Sequence, residues 1–262
     1  MTDASTASTA SPGFLRVESL SIAFGGVRAV DDVSFTAAHG SVVGIVGPNG
    51  AGKTTLLNGV SGVLPLATGQ VWLEDTRLDT LPAHRIAEHG IARTFQAVEV
   101  FNDFSVLDYL LLGRLRFQVT SLIATALQLP RTRKSERAER ERAMSALAQF
   151  DLAATAGVPL RELGYGQRKL VDLLRARLAE PRLLLLDEPT SGTSTQDREQ
   201  LRRVLLDSRE QGVTTVVVDH DVRFVSDTCD KIVVITSGQK IAEGEPEEVL
   251  QRPDVVQAYI GG

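Results

Sequence analysis

Polar and apolar side chains alternate from Leu15 to Ile22, the period-two pattern of a half-buried strand. Val33 to Thr36 and Val71 to Leu73 repeat it in shorter form, so the N-terminal part reads as partly antiparallel sheet. Three runs are instead almost continuously apolar: Val42 to Val46, Leu183 to Leu186 and Val213 to Val218. A strand that is apolar on both faces belongs in a parallel sheet covered by helices. From about Phe101 to Leu163 no strand run occurs and helical periodicity takes over, which reads as a helical insertion into an α/β core. Inside it, Leu122, Ile123, Ala126 and Leu127 share one helical face, as expected of a packed amphipathic helix over Phe117 to Leu129. The stretch Arg131 to Arg142 is mixed in sign, with Glu136/Arg140 and Arg137/Glu141 four apart, the spacing of a solvated, salt-bridged helix. Residues 1–12 are small and polar and read as a disordered tail.

Residues 47–54 bring in chemistry. Gly47-Pro48-Asn49-Gly50-Ala51-Gly52-Lys53-Thr54 matches G-x-x-x-x-G-K-[ST] at every fixed position and directly follows the apolar run Val42 to Val46. Glycines let successive backbone N–H groups converge on one anion, and a helix starting near Lys53 adds the positive end of its dipole. Lys53 then offers a point charge to the β- and γ-phosphates and Thr54 a hydroxyl to Mg²⁺. The alternative is a glycine-rich turn that binds nothing, which the preceding strand argues against.

Composition narrows the setting. A net charge of -5 and a pI near 5.5 argue against a nucleic-acid surface. Cys229 is the only cysteine, so there is neither an intramolecular disulfide nor a cysteine-built metal site, which suits a reducing compartment. No segment reaches the roughly twenty apolar residues that a spanning helix needs.

The second constellation is Leu183-Leu184-Leu185-Leu186-Asp187-Glu188. An apolar strand ending in two acids delivers carboxylates to the carboxyl edge of a parallel sheet, where the phosphate loop also lies. Asp187 is placed to hold Mg²⁺ through water, and Glu188 to polarise an attacking water against the γ-phosphate. His220 also follows a buried apolar run, so its side chain reaches the same edge.

Leu163-Gly164-Tyr165-Gly166-Gln167 lies between these two constellations, and with it the sequence resembles the nucleotide-binding subunit of an ATP-binding cassette (ABC) transporter over nearly everything after about Phe14. The resemblance implies a RecA-like P-loop NTPase core with an N-terminal antiparallel β-subdomain and an inserted α-helical subdomain. The implied boundaries are 13–96 and 166–262 for the core with its β-subdomain and 97–165 for the helical part, together one ABC ATPase domain over 13–262. Its implied cofactors are ATP and Mg²⁺. Phe24 is the implied stacking partner of adenine, with Val30, Gly47, Pro48, Asn49, Gly50, Ala51, Gly52, Lys53, Thr54 and Thr55 completing the chain's own nucleotide contacts. Gly164, Tyr165, Gly166 and Gln167 form the implied signature motif, which faces the γ-phosphate bound by an opposing subunit. Gln96, in Arg93-Thr94-Phe95-Gln96, matches the glutamine that touches both Mg²⁺ and the membrane partner, so the implied metal set is Thr54, Gln96 and Asp187. Glu188, Gln96 and the switch histidine His220 are the implied catalytic residues.

Ile91 to Gln96, the charged helical insert, the tyrosine in the signature and the tail Arg252 to Gly261 are similar to the ATPases of branched-chain amino acid importers and of related importers of small polar solutes. That likeness implies permease subunits, indirectly a solute-binding protein, and a place on the cytoplasmic inner face of the membrane. A soluble ABC ATPase acting as a scaffold or regulator without a permease, and a nucleotide-binding module with little turnover, are the competing expectations. Two motifs depart from the family pattern: Gly164 stands where serine is usual, and Thr193-Ser194 where leucine and aspartate are usual. Both serve the partner's nucleotide, which leads to the expectation of a heterodimer with a second ABC ATPase subunit.

Overall fold

The computed structural model describes residues 13–94, 98–115 and 130–260, and of 98, 99, 130–134 and 260 only the backbone. The expected tail at 1–12, the expected amphipathic helix at 117–129 and Gln96 lie outside the described residues.

In chain order the elements are β1 (Leu15–Phe24), β2 (Val27–Ala37), β3 (Val42–Val46), α1 (Lys53–Val60), β4 (Thr68–Leu73), β5 (Thr76–Arg77), α2 (Ala83–Glu88), β6 (Ile91–Arg93), α3 (Val106–Leu112), α4 (Pro130–Gln149), α5 (Tyr165–Leu178), β7 (Leu183–Asp187), α6 (Thr195–Glu210), β8 (Thr214–Val218), α7 (Val222–Thr228), β9 (Lys231–Thr236), β10 (Gln239–Gly244), α8 (Pro246–Val249) and α9 (Pro253–Ile260). The strands make two sheets. One is antiparallel, in the order β2-β1-β4-β5; the other runs β10-β9-β3-β8-β7-β6 and is parallel except for its edge strand β10. This is the α/β architecture the sequence predicts, with the antiparallel sheet at the N-terminal side.

The continuous apolar runs are explained by burial on both faces. Val43, Ile45, Leu185, Val216 and Val218 pack with Leu20, Val33, Leu56 and Leu57 from β1, β2 and α1. The alternate residues Val42, Val46, Leu184, Leu186 and Val217 pack on the other side with Leu170, Leu174, Leu201 and Leu205 from α5 and α6. Period-two geometry sends neighbouring side chains into two different cores, so both faces are buried and mostly apolar, with Thr214, Thr215 and Asp187 as buried polar exceptions.

Several strands differ from the sequence expectation. β2 begins at Val27 rather than Val33, β6 is a three-residue strand parallel to β7, and β9 and β10 form a hairpin turning at Ser237-Gly238. Between residues 101 and 163 the described residues form helices and turns, joined by an isolated bridge from Ser105 to Pro159. The charged face of α4 is partly internal. Arg137 pairs with Glu141 as the spacing predicts (2.8 Å), whereas Arg140 reaches Asp108 of α3 and Glu139 is buried against Arg114. Among the described residues no helix is long and apolar enough to cross a membrane.

Candidate functional site

The phosphate loop leaves the carboxyl end of β3 and turns into α1. Gly52, the residue before α1, has φ +96°, and a Cβ there would stand 2.3 Å from Ala29 O, so both backbone conformation and space require glycine. Lys53 is 5% exposed and its ammonium donates to Gly47 O and Pro48 O, each at 2.8 Å. Burial pulls its pKa below the ordinary lysine value, opposed by the negative charges of Glu188, Asp187 and Asp219. A buried ammonium resting on two loop carbonyls, in the field of three carboxylates, is a cation that can turn to a polyanion arriving with its metal.

Thr54, one residue on, donates its hydroxyl to Asp187 Oδ1 at 3.0 Å. Asp187 ends β7 with its side chain fully buried, and Arg93 donates to its Oδ2 at 3.1 Å. A hydroxyl and a carboxylate oxygen side by side are the hard donor set that Mg²⁺ accepts alongside water and phosphate oxygens, so these residues fit that ion. Among the described residues no cluster of three or more His, Cys, Asp or Glu side chains could form an all-protein metal cage.

Glu188 sits beyond the strand in the left-handed region, at φ +48°. Such a conformation in a non-glycine residue persists only where its surroundings over-determine it. Here the Glu188 N–H donates to Val218 O (2.8 Å), Lys169 Nζ donates to Glu188 O (3.0 Å), and Thr190 is tied to Asp219 by both its hydroxyl and its N–H. His220 follows β8 with its side chain half exposed and Nδ1 3.8 Å from Asp219 Oδ1. Lys53, Thr54, Asp187, Glu188 and His220 therefore gather at the carboxyl edge of adjacent strands β3, β7 and β8.

Other expected positions fall elsewhere. Phe24 is exposed at the end of β1, available for stacking. Val30 is fully buried under the loop, its Cγ2 3.4 Å from where a Gly52 Cβ would be, so it supports the loop from the core; the alternation of β2 turns it inward. Gly164 is the N-cap of α5, with Tyr165 exposed over Lys169 and packed beside Gly192. Gly166 is needed for space: a Cβ there would lie 2.1 Å from Asp197 Oδ2. Ser194, where the family pattern has aspartate, caps α6 in a reciprocal pair with Asp197.

Sequence reasoning missed Arg93, Lys169, Thr190 and Asp219, whose roles rest on contacts between distant segments. It also missed that α9 flanks the phosphate loop. Asp254, Gln257 and Ala258 face Pro48 to Ala51 across a cleft of about 600 Å³, and burial pushes the Tyr259 phenol up to about 12.

A buried lysine in a glycine loop, facing two acids at the end of a parallel strand, defines a P-loop nucleotide-binding α/β protein. The ABC transporter family model matches residues 30–191, and the model for branched-chain amino acid ATP-binding cassette transporters matches 239–262. The chain belongs to the ABC transporter family as an ATP-binding subunit, an ATPase coupled to transport. It is 36% identical over 248 residues to BraF, the high-affinity branched-chain amino acid transport ATP-binding protein of Pseudomonas aeruginosa, covering 94% of this chain and 97% of that one. It is 32% identical over 247 residues to LptB, the lipopolysaccharide export system ATP-binding protein of Escherichia coli, with the same coverage. Among solved structures, the ADP conformation of MJ1267, an ATP-binding cassette of an ABC transporter, superposes with a TM-score of 0.83 at 31% identity, covering 96% of this chain and all of that one.

Proposed function

We propose that this chain is the ATP-hydrolysing subunit of an importer for branched-chain amino acids or a related small polar solute. The observation that carries this reading is the C-terminal match at 239–262, which joins a segment packed beside the phosphate loop to a transporter group defined by that cargo. In this reading Lys53 and the loop hold the phosphates, Thr54, Gln96 and Asp187 would hold Mg²⁺, Glu188 orients water, and His220 contacts the γ-phosphate. Mg²⁺ supplies charge neutralisation on the β- and γ-phosphates; the chain's own groups orient and activate. The subunit works on the cytoplasmic face, against permease subunits fed by a solute-binding protein.

The likeness to LptB supports a second reading, an export ATPase. Uptake of radiolabelled branched-chain amino acids and small polar solutes by vesicles containing the chain with its partner ATPase and permease decides between them: ATP-dependent uptake abolished by Glu188→Gln is expected, its absence with branched-chain amino acids alone overturns that cargo, and its absence with every solute overturns the import reading. The dimer partner in this proposal is a second, different ATPase subunit, because Gly164 and Ser194 weaken only what this chain gives to its partner's nucleotide.

A further inference from the structure

Arg93 ends β6, a strand the hydrophobic pattern does not reveal, and its guanidinium reaches three groups on two other segments. One terminal nitrogen donates to Asn58 Oδ1 at 2.7 Å and Ser61 Oγ at 3.0 Å, at the end of α1. The other donates to Asp187 Oδ2 at 3.1 Å. The main chain is fixed as well: Thr94 N–H donates to Leu185 O (3.2 Å), and Arg93 O accepts from an Arg175 terminal nitrogen (3.0 Å). Arg175 Nε donates to Asp172 Oδ1 at 2.9 Å, and the Tyr109 hydroxyl donates to the same oxygen at 2.7 Å. Asp172, Arg175 and Tyr109 are buried, and the Tyr109 ring lies 5.3 Å from that of Phe101.

We infer that Arg93 is a positioning residue that aims Asp187 Oδ1 at Thr54 and links this carboxylate to the helical part of the chain through Arg175, Asp172 and Tyr109. A carboxylate whose Oδ2 is held cannot rotate freely, so its other oxygen keeps one direction; here that direction is the Thr54 hydroxyl, 3.0 Å away. Carboxylates that hold metals depend on such outer partners for their orientation. The planar fork of arginine serves Asn58, Ser61 and Asp187 at fixed angles, which the single ammonium of lysine does not reproduce. An ordinary buried ion pair would end at Asp187. Arg93 instead bonds α1 and β7, the two elements that carry the nucleotide chemistry, while its carbonyl bonds α5, the helix that begins with Gly164 to Gln167. A shift of Asp187 on metal binding thus reaches α5 and α3 through packed, hydrogen-bonded groups. The inference rests on the proposed metal role of Asp187 but needs no permease, so it stands or falls separately from the import reading.

The test uses the full chain with the non-hydrolysable analogue AMP-PNP. In Arg93→Gln the Mg²⁺ concentration giving half-maximal AMP-PNP binding should rise about 10- to 100-fold, the range for loss of a partner behind a metal ligand. Arg93→Lys should recover part of this, and binding without Mg²⁺ should stay unchanged. A lower melting temperature with an unaltered Mg²⁺ requirement would make Arg93 a structural ion pair only and overturn the proposal. For the link to the helices, amide hydrogen exchange of α3 should slow on adding saturating Mg²⁺ and AMP-PNP to the parent chain and not in Arg93→Gln. An α3 that responds equally in both, or in neither, would remove the link.

Discussion

The hydroxyl and the main-chain N–H of Thr190 both end on the carboxylate of Asp219, at 2.7 and 3.0 Å. The same buried carboxylate accepts the N–H groups of His220 (2.8 Å) and Asp221 (3.0 Å). One side chain thereby joins the loop that follows Glu188 to the loop that bears His220. Each donor left without an acceptor costs about 1–3 kcal/mol, so Asp219→Ala should lower the unfolding free energy by more than one such increment, and Asp219→Asn, which keeps one oxygen, by less. Thermal and urea denaturation decide this; an Asp219→Ala chain as stable as the parent refutes the tie.

Lys53→Ala tests nucleotide capture. Its ammonium is the side-chain cation of the loop and already rests on two loop carbonyls. Losing a charged hydrogen bond costs about 1.5–3 kcal/mol, roughly a tenfold to hundredfold loss of ATP affinity. Calorimetric titration showing unchanged affinity would remove the phosphates from this loop.

Glu188→Gln separates binding from hydrolysis. Amide for carboxylate preserves size in a residue whose strained backbone is held by Lys169 and Val218. ATP should remain bound while turnover falls about 10²-fold or more, the scale for loss of a general base. Near-parental turnover would shift that role to another group, His220 first.

Gly164 and Gly166 should respond oppositely to a side chain. At Gly164, φ is -60° and an added Cβ meets only Gln167 Oε1 at 3.8 Å, so Gly164→Ser should fold normally. If the heterodimer proposal holds, it should also raise ATP hydrolysis at the partner's site. Gly166→Ala drives a methyl into the Asp197 carboxylate and should break the reciprocal cap with Ser194, lowering the melting temperature. Equal melting temperatures for the two variants would contradict the packing described.

Glu243 supplies a pH-dependent contribution to stability. Burial raises its pKa, but hydrogen bonds from Lys231 and Lys240 outweigh this and hold it below the ordinary 4.5. A carboxylate depressed on folding contributes fully above its unfolded value and loses that contribution as pH falls through the folded one. Glu243→Gln should therefore melt below the parent at pH 7, with the gap closing as pH drops below 4.5. A gap independent of pH would show that charge plays no part.

The eight residues from Gly47 to Thr54 were legible because a phosphate loop is a local object: its glycines, lysine and hydroxyl act within one turn of chain that follows a recognisable strand. Strands β3, β7 and β8 were legible for a related reason, since burial on both faces leaves a largely apolar run whatever the neighbours are. Asp187 and Glu188 followed from the end of such a run. The run Ile232 to Ile235 before Ser237-Gly238 carried the signal for β9 and its hairpin, whereas β6, three residues ending in a charge, carried almost none.

Tertiary structure alone decided the roles of residues whose partners are distant in sequence. Asp219 bonds Thr190 across 29 positions, and Arg93 bonds Asn58 across 35 and Asp187 across 94. A buried polar group must find a partner somewhere, but sequence states only that the requirement exists. It also leaves open which face of an element is covered: Glu139 read as part of a solvated face and lies buried against Arg114. Local propensity and periodicity are written in neighbouring residues; the choice of partner is made when the two cores close on the central sheet and bring separate loops to one edge.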